Sequence, residues 1–120
     1  MKAFLAAFLA GALSVWAAGL DGRWAGTMEK VKGGPHGPLV EDYHLTLHQS
    51  GNTITGTVGP EGSDFEIQKA RLENGKLTFE ITVAEFLVAF DLQVNGDEIT
   101  GQMESRKGYP ILGKLRFKRQ

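Results

Sequence analysis

The side chains able to do chemistry in this sequence are few and scattered. Its three histidines are His36, His44 and His48. His44 and His48 lie four apart, which would be chelating geometry on a helix. On an extended strand the same spacing separates them by about 13 Å, at about 3.3 Å per residue. One metal ion cannot bridge that gap. Both also share the phase of Asp42 and Thr46, opposite Tyr43, Leu45 and Leu47, so they face outward. His36 stands in the loop GGPHGP (33–38), where a solvated side chain is the default. No metal site and no cofactor is expected from this set.

Nucleophilic catalysis has no better foothold. After the apolar start of the chain the serines are Ser50, Ser63 and Ser105, each in a turn or near a strand end, and none sits in a G-x-S-x-G elbow. Cysteine is absent, so there is no thiolate to activate. Most carboxylates, among them Asp42, Glu66, Glu80 and Glu98, fall on the outward phase. Glu41 shares the inward phase with Leu39 and Tyr43. Two readings of it stand: a polar handle with Tyr43 inside an apolar cavity, or a wetted residue at a rim. The expectation is a protein without catalytic machinery.

The elements that must position these residues are strands. Short turn signals, SGN (50–52), ENGK (73–76) and NGDE (95–98), separate runs with period-two alternation, and Asn-Gly and Gly-Asn suit tight hairpins. Longer breaks fall at GGPHGP (33–38), GPEGSD (59–64) and KGYP (107–110). Eight strands result: 22–32, 39–49, 53–58, 65–73, 76–84, 86–94, 98–106 and 111–119. Within ITVAEFLVAF the apolar phase changes, and Ala84-Glu85 is the place for the turn or bulge that requires. A short helix over 83–91 is the rival, disfavoured by strict alternation on both sides. SGNTITGTV (50–58) and NGDEITGQM (95–103) form a weak repeat of hairpin arms, consistent with an up-and-down meander.

The first 19 residues differ from the rest. Lys2 precedes the uncharged apolar run AFLAAFLAGALSVW, and small residues at Val15-x-Ala17 and Ala17-x-Gly19 mark two cleavage sites, after Ala17 or after Gly19. That layout reads as a signal peptide over 1–19, with a barrel domain over 20–120. The run is shorter than the ~20 apolar residues of a spanning helix, so no transmembrane segment is expected in the mature chain. The whole sequence carries 13 Lys and Arg against 14 Asp and Glu, which excludes nucleic acid as a general partner. An exported domain without disulfides fits a bacterial envelope, secreted or periplasmic, better than animal secretion.

Strand phases connect the two ends of the domain. Trp24, Gly26 and Met28 share the inward face of the first strand; Ile111, Gly113, Leu115, Phe117 and Arg119 share that of the last. With an even number of alternating strands, Trp24 and Arg119 meet across one end of the barrel. A guanidinium stacked on an indole there contributes about 0.5–2 kcal/mol and closes the end to water. Gly22-Arg23-Trp24 with a late arginine resembles the lipocalin and wider calycin barrels. The layout also resembles uncharacterised bacterial secreted domains that begin GxWxG, carry repeated GxxxxG hairpins and end in a Phe-x-x-Arg-like strand, here FKR (117–119). Similar domains stand in front of some bacterial α/β-hydrolases. The resemblance spans residues 20–120, but its motifs are short. The disulfides and C-terminal helix of lipocalins are missing, and no ligand class is carried over.

The expectation is therefore an all-β, eight-stranded, antiparallel up-and-down barrel of calycin or lipocalin type. A small apolar or amphipathic ligand inside it would be lined by Glu41, Tyr43, Leu45, Phe79, Ile81, Phe90, Leu92 and Met103, above a floor of Trp24 and Arg119. The alternative is an accessory domain with a packed interior that meets a protein or envelope partner through its surface. The inward glycines Gly26, Gly56, Gly101 and Gly113 serve either reading, as makers of curvature or as makers of space. On the last strand Lys114, Arg116 and Lys118, with Arg106 and Lys107 near in sequence, form an outward basic stripe that either solubilises the face or meets an anionic partner.

Overall fold

The computed structural model describes residues 19–32, 40–107 and 111–120. Residues 1–18 of the proposed leader, the 33–39 loop with His36 and Leu39, and residues 108–110 lie outside these. Among the described residues nine strands form one antiparallel sheet: β1 (Gly22–Lys32), β2 (Val40–Ser50), β3 (Thr53–Pro60), β4 (Phe65–Glu66), β5 (Gln68–Glu73), β6 (Lys76–Val83), β7 (Phe86–Asn95), β8 (Glu98–Lys107) and β9 (Leu112–Arg119). Their order, β4-β3-β2-β1-β9-β8-β7-β6-β5, is that of a meander whose last strand returns beside its first.

The expected fourth strand, 65–73, is two strands, and this accounts for nine instead of eight. Its first part pairs with β3 and its second with β6. Ile67 between them turns its buried side chain inward and donates its N–H to the Gly56 carbonyl at 3.0 Å. One chain segment thus holds both ends of the sheet and nearly closes the barrel. A bulge follows at once, with Lys69 at φ 54 and a register shift between Gln68 and Arg71. A bulge bends and twists a strand, which is what the crossing from β3 to β6 demands.

The hairpin turns follow their residues. Asn74 and Gly75 both have positive φ, 52 and 78, as the Asn-Gly turn of a right-twisted hairpin requires. Gly51 and Gly96 hold the first central position of their turns at φ 61. Ala84 holds the corresponding position between β6 and β7 at φ 55, so the phase change is a two-residue turn, with Val83 opposite Phe86, and not a helix. The three turns at 51–52, 74–75 and 96–97 gather with Leu20 and Gln120 at one end, the floor. Loops 61–64 and 84–85 lie at the other, the mouth.

Inside, register lines bring apolar side chains of successive strands together. Gly113, Met103, Phe90 and Phe79 are consecutive partners across β9, β8, β7 and β6. The rings of Phe79 and Phe90 stack 4.6 Å apart at 19°. Leu45, Leu77, Ile99 and Phe117 are wholly buried beside them. The inward glycines answer to curvature. A Cβ on Gly26 would stand 1.7 Å from the Arg116 carbonyl oxygen, one on Gly56 1.9 Å from that of Thr46, and one on Gly101 2.2 Å from that of Asp91. The neighbouring strand's backbone occupies each place, so these three leave no room for a ligand. At Gly113 the space is filled by the side chains of Met28 and Met103.

Candidate functional site

The floor is built from both ends of the described chain. Trp24 and Arg119 are register partners of β1 and β9, and the guanidinium lies 4.3 Å from the centre of the wholly buried indole. Arg119 also donates to the carbonyls of Gly19 and Asp21, the latter at 2.9 Å, and to the Asp97 carboxylate at 2.9 Å. The Trp24 indole N–H donates to the Leu20 carbonyl at 3.1 Å, and the Leu20 side chain is buried. Asp21 accepts from the Gln49 backbone N–H at 2.6 Å, so the strand entering the floor is also tied to β2. This end is shut.

The mouth is different. A cavity of about 160 Å³ opens there among Tyr43, Val83, Phe86, Val88, Met103, Ser105 and Ile111. Opposing strand ends supply its walls: Val83 and Phe86 flank the Ala84 turn, Val88 pairs with Ser105, and Met103 continues toward the core. Phe86 is 40 % exposed, a large apolar side chain left at the entrance. Tyr43, on β2, supplies the main polar group. Its hydroxyl pKa is pushed up to about 12 by burial and, second, by the negative charge of Glu41. The phenol therefore stays protonated across the physiological range, both donor and acceptor. Glu41 is half-buried one turn of the pleat further out, opposite Met28.

Of the residues expected to line a ligand, Tyr43 and Met103 reach this cavity. Leu45, Phe79, Ile81, Phe90 and Leu92 are buried against one another in the core below it, and Glu41 lies at the rim. Alternation alone did not single out Val83, Phe86, Val88, Ser105 and Ile111. Their inward phase was visible, but not their height in the barrel, which depends on strand tilt and stagger.

A second depression of about 200 Å³ lies on the outer wall around the short side chain of Ala89, bordered by Lys69, Thr78, Glu80, Asp91, Gln102, Glu104 and Arg106; the expected lining residues Phe79 and Phe90 form part of its base but are themselves buried. Three of its charges are paired: Lys69 with Glu80 at 3.6 Å, and Asp91 with the neighbouring Lys76 at 3.4 Å. His44 also lies on the outer wall, bonded through Nε2 to Asp64 at 2.6 Å. This contact ties the 61–64 loop to β2, a tertiary role invisible in the spacing of the histidines. Among the described residues no three of His, Cys, Asp and Glu gather as metal ligands. The basic stripe is interleaved with its neighbours: Glu29 stands beside Lys114, Glu98 beside Lys118, and Thr27 and Thr100 flank Arg116.

No protein-family model matches the sequence, and no curated protein matches it. Several solved chains share the fold, among them the following two. A protein of unknown function from the DUF3598 family of Nostoc punctiforme superposes with a TM-score of 0.55 at 11 % identity, over 84 % of this chain and 47 % of the other. A secretary abundant heat soluble (SAHS) protein from Ramazzottius varieornatus superposes with a TM-score of 0.51 at 13 % identity, over 83 % and 94 %. This chain spans about half the length of the first and nearly all of the second. At these identities the likeness concerns the barrel architecture alone.

Proposed function

We propose that this chain is an exported, non-catalytic binding module that takes a small apolar or amphipathic molecule at the mouth of its barrel. The observation that carries the reading is the mouth cavity itself: five apolar side chains converge with one protonated phenol where the strands leave the core. A few polar groups in an apolar concavity are the usual composition of a small-molecule site. The size narrows the ligand. An apolar cavity near 150 Å³ accepts a molecule of about benzene's size, so one ring or a short alkyl segment enters and any polar remainder meets Tyr43 and solvent. The leader sequence and the lack of cysteine support a bacterial envelope as its location.

Native mass spectrometry of the exported chain, prepared without detergent, tests the reading. A small mass released on mild activation, and lost when Val88→Trp fills the cavity, is the expected result. A bare wild-type mass, with no rise in melting temperature on titrating benzyl alcohol or hexanol, counts against it.

The second reading is an accessory domain with a packed interior acting through its outer wall. It draws support from the glycine positions taken up by neighbouring strands and from the stacked Phe79–Phe90 pair. Retained folding but loss of a co-purifying protein on Arg116→Glu would favour it.

A further inference from the structure

Two leader cleavage sites fit the sequence, and the floor distinguishes between them. We propose that the mature protein begins at Ala18, from cleavage after Ala17, because the barrel uses the backbone of Gly19 and Leu20 as structural parts of its closed end. This inference rests on the export reading and names the processing site within it.

Three contacts converge on that short stretch. Arg119 donates to the Gly19 carbonyl. The Leu20 carbonyl receives the Trp24 indole N–H. The Leu20 side chain is buried in the core. The same guanidinium stacks on Trp24, so the Gly19 carbonyl belongs to the group that seals the floor.

Hydrolysis of the Ala17–Ala18 peptide bond consumes one water: its oxygen goes to the Ala17 carbonyl carbon, giving a carboxylate, and both of its protons end on the Ala18 nitrogen, giving an α-ammonium. The released leader ends in Val15-Trp16-Ala17, with the small residues a leader peptidase reads at the first and third positions before the cut. The Gly19–Leu20 amide stays intact. The new positive charge is carried by Ala18, one residue before Gly19.

Cleavage after Gly19 also leaves small residues at both positions but removes the carbonyl that Arg119 holds. It would also turn the Leu20 nitrogen, one bond from that carbonyl carbon, into an ammonium facing the guanidinium. Two cations held together over a buried indole repel, and one would lack the acceptor it now has.

The test uses the full chain expressed in a bacterial host with an export pathway, and reads the N-terminus of the exported product by intact mass and terminal sequencing. The expected product starts Ala18-Gly19-Leu20, and Gly19→Leu, which places a large residue just before the second site, leaves that cut unchanged. A product starting at Leu20, or a cut that Gly19→Leu blocks, overturns the assignment while leaving export intact. A chain recovered with Met1 and the leader still attached in the membrane fraction overturns both the assignment and the export reading.

Discussion

Replacing Ala84 by glycine should make the protein more stable, although it deletes a methyl group and loosens the unfolded chain. Ala84 sits at φ 55, in the left-handed region, at the first central position of the β6–β7 turn. The corresponding positions of the β2–β3 and β7–β8 turns are Gly51 and Gly96, both at φ 61. An L-residue with a Cβ costs about 1–2 kcal/mol in that region, whereas the additional unfolded-state freedom of glycine costs roughly 0.5–1 kcal/mol. The net gain is about 0.5–1 kcal/mol, and Ala84 is exposed, so no buried contact offsets it. In a domain of about a hundred residues this raises the melting temperature by about 2–8 °C. Urea denaturation should show a higher midpoint with an unchanged slope. The swap has an internal control, because Gly51→Ala introduces the same penalty where nothing lies within 4 Å of the new Cβ, and it should destabilise by a similar amount. An Ala84→Gly midpoint at or below wild type, or a neutral Gly51→Ala, would refute the argument from backbone conformation.

Arg119→Ala removes the stacked guanidinium together with the three hydrogen bonds it donates, and a loss of about 2–4 kcal/mol in urea denaturation is expected; Arg119→Lys, with a point charge in place of the planar fork, should recover less than half of it. Gly26→Ala drives a Cβ into the Arg116 carbonyl and should cost more than about 3 kcal/mol or abolish the cooperative transition. Gly113→Ala meets only the flexible ends of Met28 and Met103, and circular dichroism should show it folded with a smaller loss. Tyr43 titrates in the folded protein at about 12 against 10.0 for an unperturbed tyrosine. Its neutral form is therefore favoured by folding: the contribution is fully present below pH 10 and is lost as pH rises from 10 through 12. Tyr43→Phe should flatten that part of the stability–pH curve, and an identical slope in the variant would contradict the burial of the phenol.

Alternation and turn chemistry determined most of this architecture from the sequence alone, because side-chain direction along a strand is a local property. The phase of Trp24 and Arg119 placed them on one face, and their pairing survives the ninth strand because β4 and β5 run in the same direction and count as one of eight alternating runs; the two groups stack as that phase requires. The change of phase at Ala84-Glu85 was legible for the same reason. What only the tertiary structure decided depends on contacts between residues remote in the chain. The break at Ile67 follows from β3 and β6 competing for a single segment, which no window of ten residues contains. The glycines were ambiguous until the neighbouring strand's carbonyls were in place beside them. The cavity's walls come from side chains whose height is set by the stagger between strands, so Val88 and Ile111 join Tyr43 while Phe79 and Leu92 lie in the core. The floor's use of Gly19 depends on Arg119, one hundred positions away. Local pattern specifies which face a residue takes, and closure of the barrel decides what it meets there.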